Sequence, residues 1–232
     1  MPAIDAMRNL FTRVSGGYDR VNRALSLGLD ILWRARALRL LERESLPAEM
    51  AILDLAAGTG DFSIQAAKKF PSSRIVAVDI TPAMMEIGKG KVEAEKLSGR
   101  ISFAEGDAMD LKFGNSSFDC MTCAFGFRNF PLPGKALGEA SRILKVGGCV
   151  AVLEFFRPPT ALASKFLVFW IGIVSAVFAR GLTKEYKYLG NSIRNMRTEK
   201  DFTEMARGHG LELRSRKFFF PCCSCLVFRK TG

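Results

Sequence analysis

The sequence contains very little histidine, and this scarcity limits the chemistry open to it. His209 is its only histidine, and the six cysteines lack the paired spacings of a zinc site. No tandem repeat or low-complexity tract interrupts the 232 residues. These absences argue against a disulfide scaffold and a repeat protein, and they predict that the protein binds no metal.

Long apolar runs are also lacking. A membrane-spanning helix needs about 20 apolar residues, whereas the uncharged segment 166–179 has only 14 and lies between Lys165 and Arg180. Two interpretations stay open for it: a helix packed in the core, or a lid that touches a membrane or a lipid substrate. The N-terminus lacks the apolar segment of a secretory signal, so we expect a cytoplasmic protein with membrane association on the cytoplasmic face.

Acidic residues are outnumbered, because 34 lysines and arginines face 23 aspartates and glutamates for a net charge of +11. Residues 151–232 hold 14 of the basic and 6 of the acidic side chains, a local balance of +8. The excess is therefore a local surface property. Nucleic acid and anionic lipid are the two partners that such a surface suits.

The chain is organised around residues 51–69. The apolar run Ala51–Leu55 predicts a strand, Gly58 and Gly60 predict a tight turn, and a helical pattern follows, as in a nucleotide-binding βαβ unit. A second predicted strand, Ser73–Asp79, ends in a carboxylate nineteen residues after Gly60. An acid at this place in such units binds the two hydroxyls of a ribose.

Two further carboxylates indicate which nucleoside binds. Asp54 closes the first strand and Asp61 begins the helix, so they would repel a pyrophosphate but suit a cationic ligand without phosphate. S-adenosylmethionine carries a sulfonium, an ammonium and a ribose, and we expect it as the cofactor. A third predicted strand leads to Asp107, which can accept the adenine amino group while Ala108 packs on the ring edge.

The remaining pattern predicts one α/β domain over residues 1–232. A helical lid over about 1–46 contains a long helix from Val21 to Glu44, and an apolar helical insertion covers about 157–200. The last two predicted strands, 211–219 and 222–228, are too close for a helical crossover and form an antiparallel hairpin. A parallel sheet that ends in such a hairpin is the class I methyltransferase topology, a Rossmann-like α/β fold.

Four segments resemble the ubiquinone/menaquinone biosynthesis C-methyltransferase family: 18–22 with Trp33, 54–61, 125–129, and 142–154. The resemblance implies methyl transfer from S-adenosylmethionine to a ring carbon of a polyprenylated quinol, with demethylmenaquinol as the expected substrate. It also implies cofactor contacts by Thr59, Asp79, Asp107 and Ala108. Asp30 departs from the family pattern, because a histidine is usual there.

Two alternatives stay open for the substrate. The first is the 2-methoxy-6-polyprenyl-benzoquinol intermediate of ubiquinone biosynthesis. The second is RNA, which the basic charge suits. Methylation of an exocyclic base nitrogen usually involves an Asn/Asp-Pro-Pro-aromatic turn after the fourth strand, whereas this chain has Phe125–Asn129 there. We therefore expect no nucleic-acid partner.

The expected site residues follow from this scheme. A quinol carbon becomes nucleophilic when its hydroxyl ionises, and Arg128 could stabilise the anion while Asn129 donates a hydrogen bond. Glu154 is the candidate proton acceptor, and Tyr18 and Asp19 are expected to position the head group. The alternative for Arg128 is a structural pairing with an acid. The expected cofactor-binding residues are Asp54, Gly58, Thr59, Gly60, Asp79, Asp107 and Ala108.

Overall fold

A computed structural model describes residues 2–26, 28–157, 191–193, 195–219 and 223–232. The uncharged segment 166–179 and most of the predicted insertion therefore lie outside the described residues. Within the described ranges, no helix is long and apolar enough to cross a membrane.

Seven helices and seven strands make up the described part of the chain, besides two short 3₁₀ turns at Ser15–Gly17 and Phe127–Asn129. The helices are α1 Pro2–Val14, α2 Tyr18–Ser26, α3 Leu29–Leu41, α4 Asp61–Lys69, α5 Pro82–Ala94, α6 Pro133–Ile143 and α7 Glu199–Arg207. The strands are β1 Ala51–Leu55, β2 Arg74–Asp79, β3 Ile101–Glu105, β4 Phe118–Ala124, β5 Leu144–Phe155, β6 Leu211–Phe219 and β7 Cys223–Lys230.

The strands form one sheet in the order β3-β2-β1-β4-β5-β7-β6. Strands β1 to β5 are parallel, and β7 runs antiparallel to both β5 and β6. The predicted class I methyltransferase sheet with its C-terminal antiparallel hairpin is confirmed. Because β6 is thereby parallel to β5, its carboxyl end lies at the same edge as those of β1, β2 and β4.

Helices cover both faces of the sheet, which explains why the central strands are almost uniformly apolar. One apolar cluster joins α3 and α4 to the sheet and includes Trp33, Leu38 and Phe62. The other joins α6 and α7 to the opposite face and includes Leu137 and Phe202. The functional edge therefore rests on a core that is packed from two sides.

The prediction of one helix from Val21 to Glu44 is wrong. The structure has two helices, α2 and α3, and Gly28 between them adopts φ 76°. This left-handed conformation interrupts the α-helical hydrogen-bond ladder, and glycine adopts it at low cost because it has no Cβ.

Candidate active site

Unusual backbone conformations mark the carboxyl edge of the sheet. Ala56, directly after β1, has φ 55°, and Phe125, directly after β4, has φ 60°. Non-glycine residues occupy this region rarely and at a cost, and such strain concentrates at functional sites. Gly58 and Gly60, in the turn that leads into α4, have φ 56° and 77°. The two predicted glycines thus lie where a side chain would be strained.

A cleft with an empty volume of about 740 Å³, its open mouth included, lies at this edge. Helix α1 contributes Met7 and Phe11 to its wall, and the ends of the strands contribute most of the rest. The structure brings six of the predicted site residues together here: Tyr18, Gly58, Asp79, Asp107, Ala108 and Asn129. Residues from six separate segments therefore form one site.

Asp79 is the buried acid of this cleft, only 9% exposed. Its Oδ2 accepts a hydrogen bond from the Gly58 backbone N–H at 2.8 Å, and its Oδ1 accepts one from the Thr81 N–H at 2.9 Å. Burial raises the pKa of the Asp79 carboxyl, although these backbone hydrogen bonds oppose the rise. Since a carboxylate has about four lone-pair sites, acceptor capacity is left for the hydroxyls of a ligand.

Asp107 and Ala108 line the cleft just beyond the end of β3. The Asp107 side chain is half-buried, and its Oδ1 accepts a hydrogen bond from the Met109 N–H at 2.9 Å. This local bond fixes the carboxylate in a turn. Ala108 is 7% exposed and presents an apolar surface beside it. One acceptor next to an apolar wall suits the edge of an aromatic base with an amino group.

A second, smaller pocket adjoins the cleft, and Tyr18, Ala56, Gly58 and Ala124 line both. Its remaining lining is rich in charge and contains Asp19, Arg34, Asp54, Thr59 and Asp61. Three carboxylates and the Arg34 guanidinium in so small a space suit a ligand that carries charges of both signs, as an amino-acid moiety does. The assignment of Asp54 and Asp61 to a cationic ligand stays a prediction.

Asp54 is 1% exposed, and hydroxyl groups hold both of its oxygens. Ser63 Oγ donates to Oδ2 at 2.5 Å, and Thr122 Oγ1 donates to Oδ1 at 2.8 Å. Burial raises the pKa of Asp54 to about 6, against the lowering effect of the two hydroxyls and of the Arg34 charge. Ser63 stands at the third glycine position of a dinucleotide motif, and its hydroxyl here stabilises a carboxylate.

This raised pKa leads to a prediction about stability. The folded protein binds the Asp54 proton more tightly than the unfolded chain does, so the free energy of unfolding should fall as the pH rises from about 4 to about 6. The full effect is on the order of 3 kcal/mol and persists above pH 6. Urea denaturation of the cofactor-free protein across this window measures it.

The variant Asp54→Asn should lose that pH dependence. Ser63→Ala should extend the window to higher pH, because it removes a hydrogen bond that lowers the Asp54 pKa. Parallel slopes for the wild type and Asp54→Asn would contradict the assignment of this titration to Asp54.

A network of ion pairs links α2 to the glycine turn and to α5. Lys91 Nζ, on α5, donates to Asp19 Oδ2 at 3.0 Å, to Thr59 Oγ1 at 3.1 Å and to Asp61. Thr59 Oγ1 also donates to Asp19 Oδ1 at 2.7 Å. These contacts hold the start of α2 against the smaller pocket.

Arg23 extends the network from the same helix. Its guanidinium donates to Asp61 Oδ2 at 2.8 Å. It also pairs with the buried Asp30, which forms a second ion pair with Arg34 at 2.5 Å. Burial alone would raise the pKa of Asp61, but the hydrogen bond and charge of Lys91, with the charges of Arg34 and Arg23, hold it below its usual value. Asp61 is therefore an anion that the chain itself neutralises.

Arg128 and Glu154 form a buried ion pair. Arg128 Nη1 lies 2.6 Å from Glu154 Oε1, and the two side chains are 7% and 0% exposed. The Arg128 backbone N–H also donates to Glu154 Oε2 at 3.2 Å. Its guanidinium contacts the rings of Phe125 and Phe155, with centroid distances of 5.5 and 5.8 Å.

The pair lies behind the cleft wall. Phe125 lines the cleft, whereas Arg128 and Glu154 are not among the described residues that line either pocket. Asn129, the next residue, does line the cleft, and its Nδ2 donates to the Phe125 carbonyl at 3.2 Å. The geometry thus shows the pairing with an acid that was the alternative for Arg128, and direct catalytic roles for Arg128 and Glu154 stay predictions.

Of the remaining predicted residues, Gly60 acts through the backbone as the N-cap of α4 and lines neither pocket.

Sequence reasoning missed Lys91, Arg23 and Arg34, which balance the acids of the smaller pocket. Nothing in their local sequence distinguishes them from the solvated basic residues of a helix. Only the packing of α2, α3 and α5 brings them to the site.

The two pockets together fit S-adenosylmethionine. The cleft has an acid with spare acceptor capacity, Asp79, and an acceptor beside an apolar wall at Asp107, as a ribose and an adenine require. The smaller pocket has the carboxylates that a charged amino-acid moiety with a sulfonium would contact. The fold and this site define a class I methyltransferase, and S-adenosylmethionine is its methyl donor.

Comparisons with known proteins agree. A solved structure of a SAM-dependent methyltransferase from Aquifex aeolicus superposes with a TM-score of 0.62 at 15% identity, covering 84% of this chain and 89% of that one. The model of the ubiE/COQ5 methyltransferase family matches residues 4–222. The chain therefore belongs to the ubiE/COQ5 methyltransferase family.

Two relatives illustrate the breadth of the match. The chain is 38% identical to a demethylmenaquinone methyltransferase of Thermotoga maritima over 227 residues, which cover 96% of this chain and 94% of that protein. It is 35% identical to the protein of the same name from Porphyromonas gingivalis, over 88% of this chain and 84% of the relative. The family resemblance predicted from the sequence motifs is confirmed.

Proposed function

We propose that this methyltransferase methylates a ring carbon of a polyprenylated quinol, and that demethylmenaquinol is the substrate. The observation that carries the proposal is the composition of the cleft. Beyond the acids that suit the cofactor, its wall is aromatic and apolar, with Phe11, Tyr18, Phe125, Phe130 and Pro131. Such a wall suits a planar hydrophobic ring. The names of the relatives from Thermotoga maritima and Porphyromonas gingivalis support the same substrate.

We assign the roles of the site residues within this proposal. Asp79 and Gly58 would bind the ribose, Asp107 and Ala108 the adenine, and Asp54, Thr59 and Asp61 the charged moiety of the cofactor. Gly60 shapes the turn that presents them. When bound, S-adenosylmethionine would supply a methyl group on a positively charged sulfur: the ring carbon would take the methyl, the sulfur would leave as a neutral thioether, and the ring carbon would lose its proton to restore the aromatic ring.

Helices α1 and α2 would act as the lid. Arg8 of α1 donates to the Ile80 carbonyl at 3.1 Å and pairs with Glu105 at 2.7 Å, so α1 is anchored to the loop after β2 and to the end of β3. The rings of Phe11 and Tyr18 contact each other edge to face at a centroid distance of 5.9 Å. Tyr18 lines both pockets, which supports a role for its phenol in orienting a head group between them.

The nucleophile requires an ionised hydroxyl. A quinol hydroxyl resembles the tyrosine phenol, with a pKa of about 10, so the site must favour the anion. Asn129 faces the cleft, and Arg128 contributes positive charge from behind the Phe125 ring. We retain Glu154 as the proton acceptor, and its buried ion pair with Arg128 would have to open before it could reach the quinol.

An assay of the acceptor's oxidation state tests the proposal. The quinone has no hydroxyl to ionise, so methyl transfer should occur with reduced demethylmenaquinol and be lost with the oxidised form. Methyl incorporation from labelled S-adenosylmethionine measures it, with and without dithionite, and cofactor binding with and without dithionite serves as the control. Equal rates with both forms would refute the proposal.

Two other acceptors address the alternatives. The 2-methoxy-6-polyprenyl-benzoquinol should be methylated more slowly than demethylmenaquinol, and a total RNA preparation should incorporate no methyl group. If the benzoquinol is methylated faster than demethylmenaquinol, the substrate would instead be the intermediate of ubiquinone biosynthesis. Incorporation into RNA would revive the nucleic-acid interpretation.

A further inference from the structure

The outer face of α3 changes character along its length. Leu29 and Leu32 are followed at helical spacing by Arg36 and Arg39 and, two residues beyond the end of the helix, by Arg43, all exposed. Leu29 is 38% and Leu32 39% exposed, and Ile31 beside them is 46% exposed. The opposite face is buried against the sheet, through residues that include Trp33 and Leu41. Half of this outer face is thus apolar and half is basic.

The apolar half lies at the edge of the sheet that carries the cleft. Trp33 contacts Phe125, which follows β4, and Phe155, the last residue of β5, at centroid distances of 6.5 and 5.9 Å. At the other end, Glu44 pairs with Arg229 near the end of the antiparallel β7 at 3.2 Å. The basic half of α3 therefore lies further from the cleft than the apolar half does.

The end of β6 packs beside this helix. Phe219 stacks on Trp33 at 6.2 Å, and the Arg36 guanidinium lies 5.8 Å from the centroid of its ring. Lys217, two residues earlier on the same face of β6, is exposed. We define the docking face as the set Leu29, Ile31, Leu32, Arg36, Arg39, Arg43 and Lys217.

The charges of this face are uncompensated. Within the described ranges, no carboxylate lies within 4 Å of the charged nitrogens of Arg36, Arg39, Arg43 or Lys217, whereas the neighbouring Arg216 pairs with Glu199 at 2.5 Å. Unpaired surface cations beside exposed apolar side chains match an anionic lipid surface, whose headgroups attract the cations while the apolar side chains enter the interface. Nucleic acid would use the cations but leave the apolar side chains in water.

We propose that the docking face binds the surface of an anionic lipid bilayer and brings the mouth of the cleft to the membrane. The apolar end of α3 would enter the headgroup region, and the arginines would lie among the lipid headgroups. The inference extends the proposed function, because a polyprenyl tail would hold the quinol in the same bilayer. It explains exposed apolar side chains that the site itself does not use.

Vesicle co-sedimentation of the full chain tests the proposal. The protein should co-sediment with phosphatidylglycerol–phosphatidylcholine vesicles. Pure phosphatidylcholine vesicles should carry down at least about tenfold less protein, and added salt should release the protein from the anionic vesicles. The apolar variant Leu29→Ser/Ile31→Ser/Leu32→Ser and the charge variant Arg36→Gln/Arg39→Gln/Arg43→Gln should each bind at least about tenfold more weakly.

Matched controls come from surfaces away from the docking face. Val146→Ser removes an apolar side chain that is 67% exposed near the start of β5, at the opposite edge of the sheet. The variant Lys89→Gln/Lys96→Gln/Lys112→Gln removes three exposed positive charges outside the docking face. Both controls should sediment like the wild type.

The outcomes separate docking from the proposed function. All docking-face variants should methylate a short-tailed, water-soluble quinol at the wild-type rate, which also shows that they are folded. If the wild type sediments with vesicles but does not methylate that quinol, the proposed function fails and the docking face stands. If both variants sediment with vesicles like the wild type, the docking face is overturned. It is also overturned if sedimentation velocity shows a wild-type dimer that both variants abolish, because a second copy of the chain would then cover this face.

Discussion

Replacement of Asp79 by alanine is expected to weaken S-adenosylmethionine binding at least tens-fold. Each charge-assisted hydrogen bond between a carboxylate and a hydroxyl contributes about 1.5–3 kcal/mol, and the substitution removes two of them from the bound state. Asp79 also accepts the N–H groups of Gly58 and Thr81, so its loss loosens the glycine turn itself. Isothermal titration calorimetry gives the cofactor affinity, and thermal unfolding without cofactor shows how much the substitution destabilises the folded protein.

The control Asp119→Ala separates these two effects. Asp119 is 8% exposed, accepts the Ala51 backbone N–H at 2.9 Å and pairs with Lys145 at 2.7 Å, but it lies at the opposite edge of the sheet. Its loss should lower the unfolding temperature and leave cofactor affinity unchanged. Wild-type affinity in Asp79→Ala would remove Asp79 from the cofactor site.

Replacement of Arg128 is expected to lower kcat about 100-fold or more while cofactor affinity holds. Removing one partner of a buried pair is costly, because it leaves Glu154, which is 0% exposed, without its counter-charge. Arg128→Ala should therefore be destabilised, whereas Arg128→Lys and the double variant Arg128→Met/Glu154→Gln keep the charge balance of the pair. Steady-state kinetics with reduced quinol measure all three.

The pH profile of kcat distinguishes two roles for Arg128. If its charge lowers the pKa of the quinol hydroxyl, the double variant should regain activity as the pH rises, because the hydroxyl then ionises unaided. If the pair only positions Phe125 and Asn129, activity should stay low at every pH. If kcat is unchanged in both Arg128→Lys and the double variant, Arg128 takes no part in the reaction.

Local patterns in the sequence predicted most of the sheet, because strand periodicity and glycine turns involve neighbouring residues. Strand β1 and the glycine turn after it lie where they were expected, and the hairpin of β6 and β7 followed from their short separation alone. The single long helix failed because Gly28 lies within an otherwise helical pattern. A glycine there is compatible with a helix, and only its φ of 76° shows that the helix is interrupted.

The sequence by itself determined the class of this protein, since Gly58, Gly60 and Asp79 stand at spacings that one kind of βαβ unit requires. Only the tertiary structure decided which side chains form hydrogen bonds and ion pairs with its carboxylates. Thr122 reaches Asp54 across 68 residues, Lys91 joins Asp19 across 72, and Arg128 meets Glu154 across 26. Electrostatic and hydrogen-bond energies depend on distance in space and on burial, and neither can be read from separation along the chain.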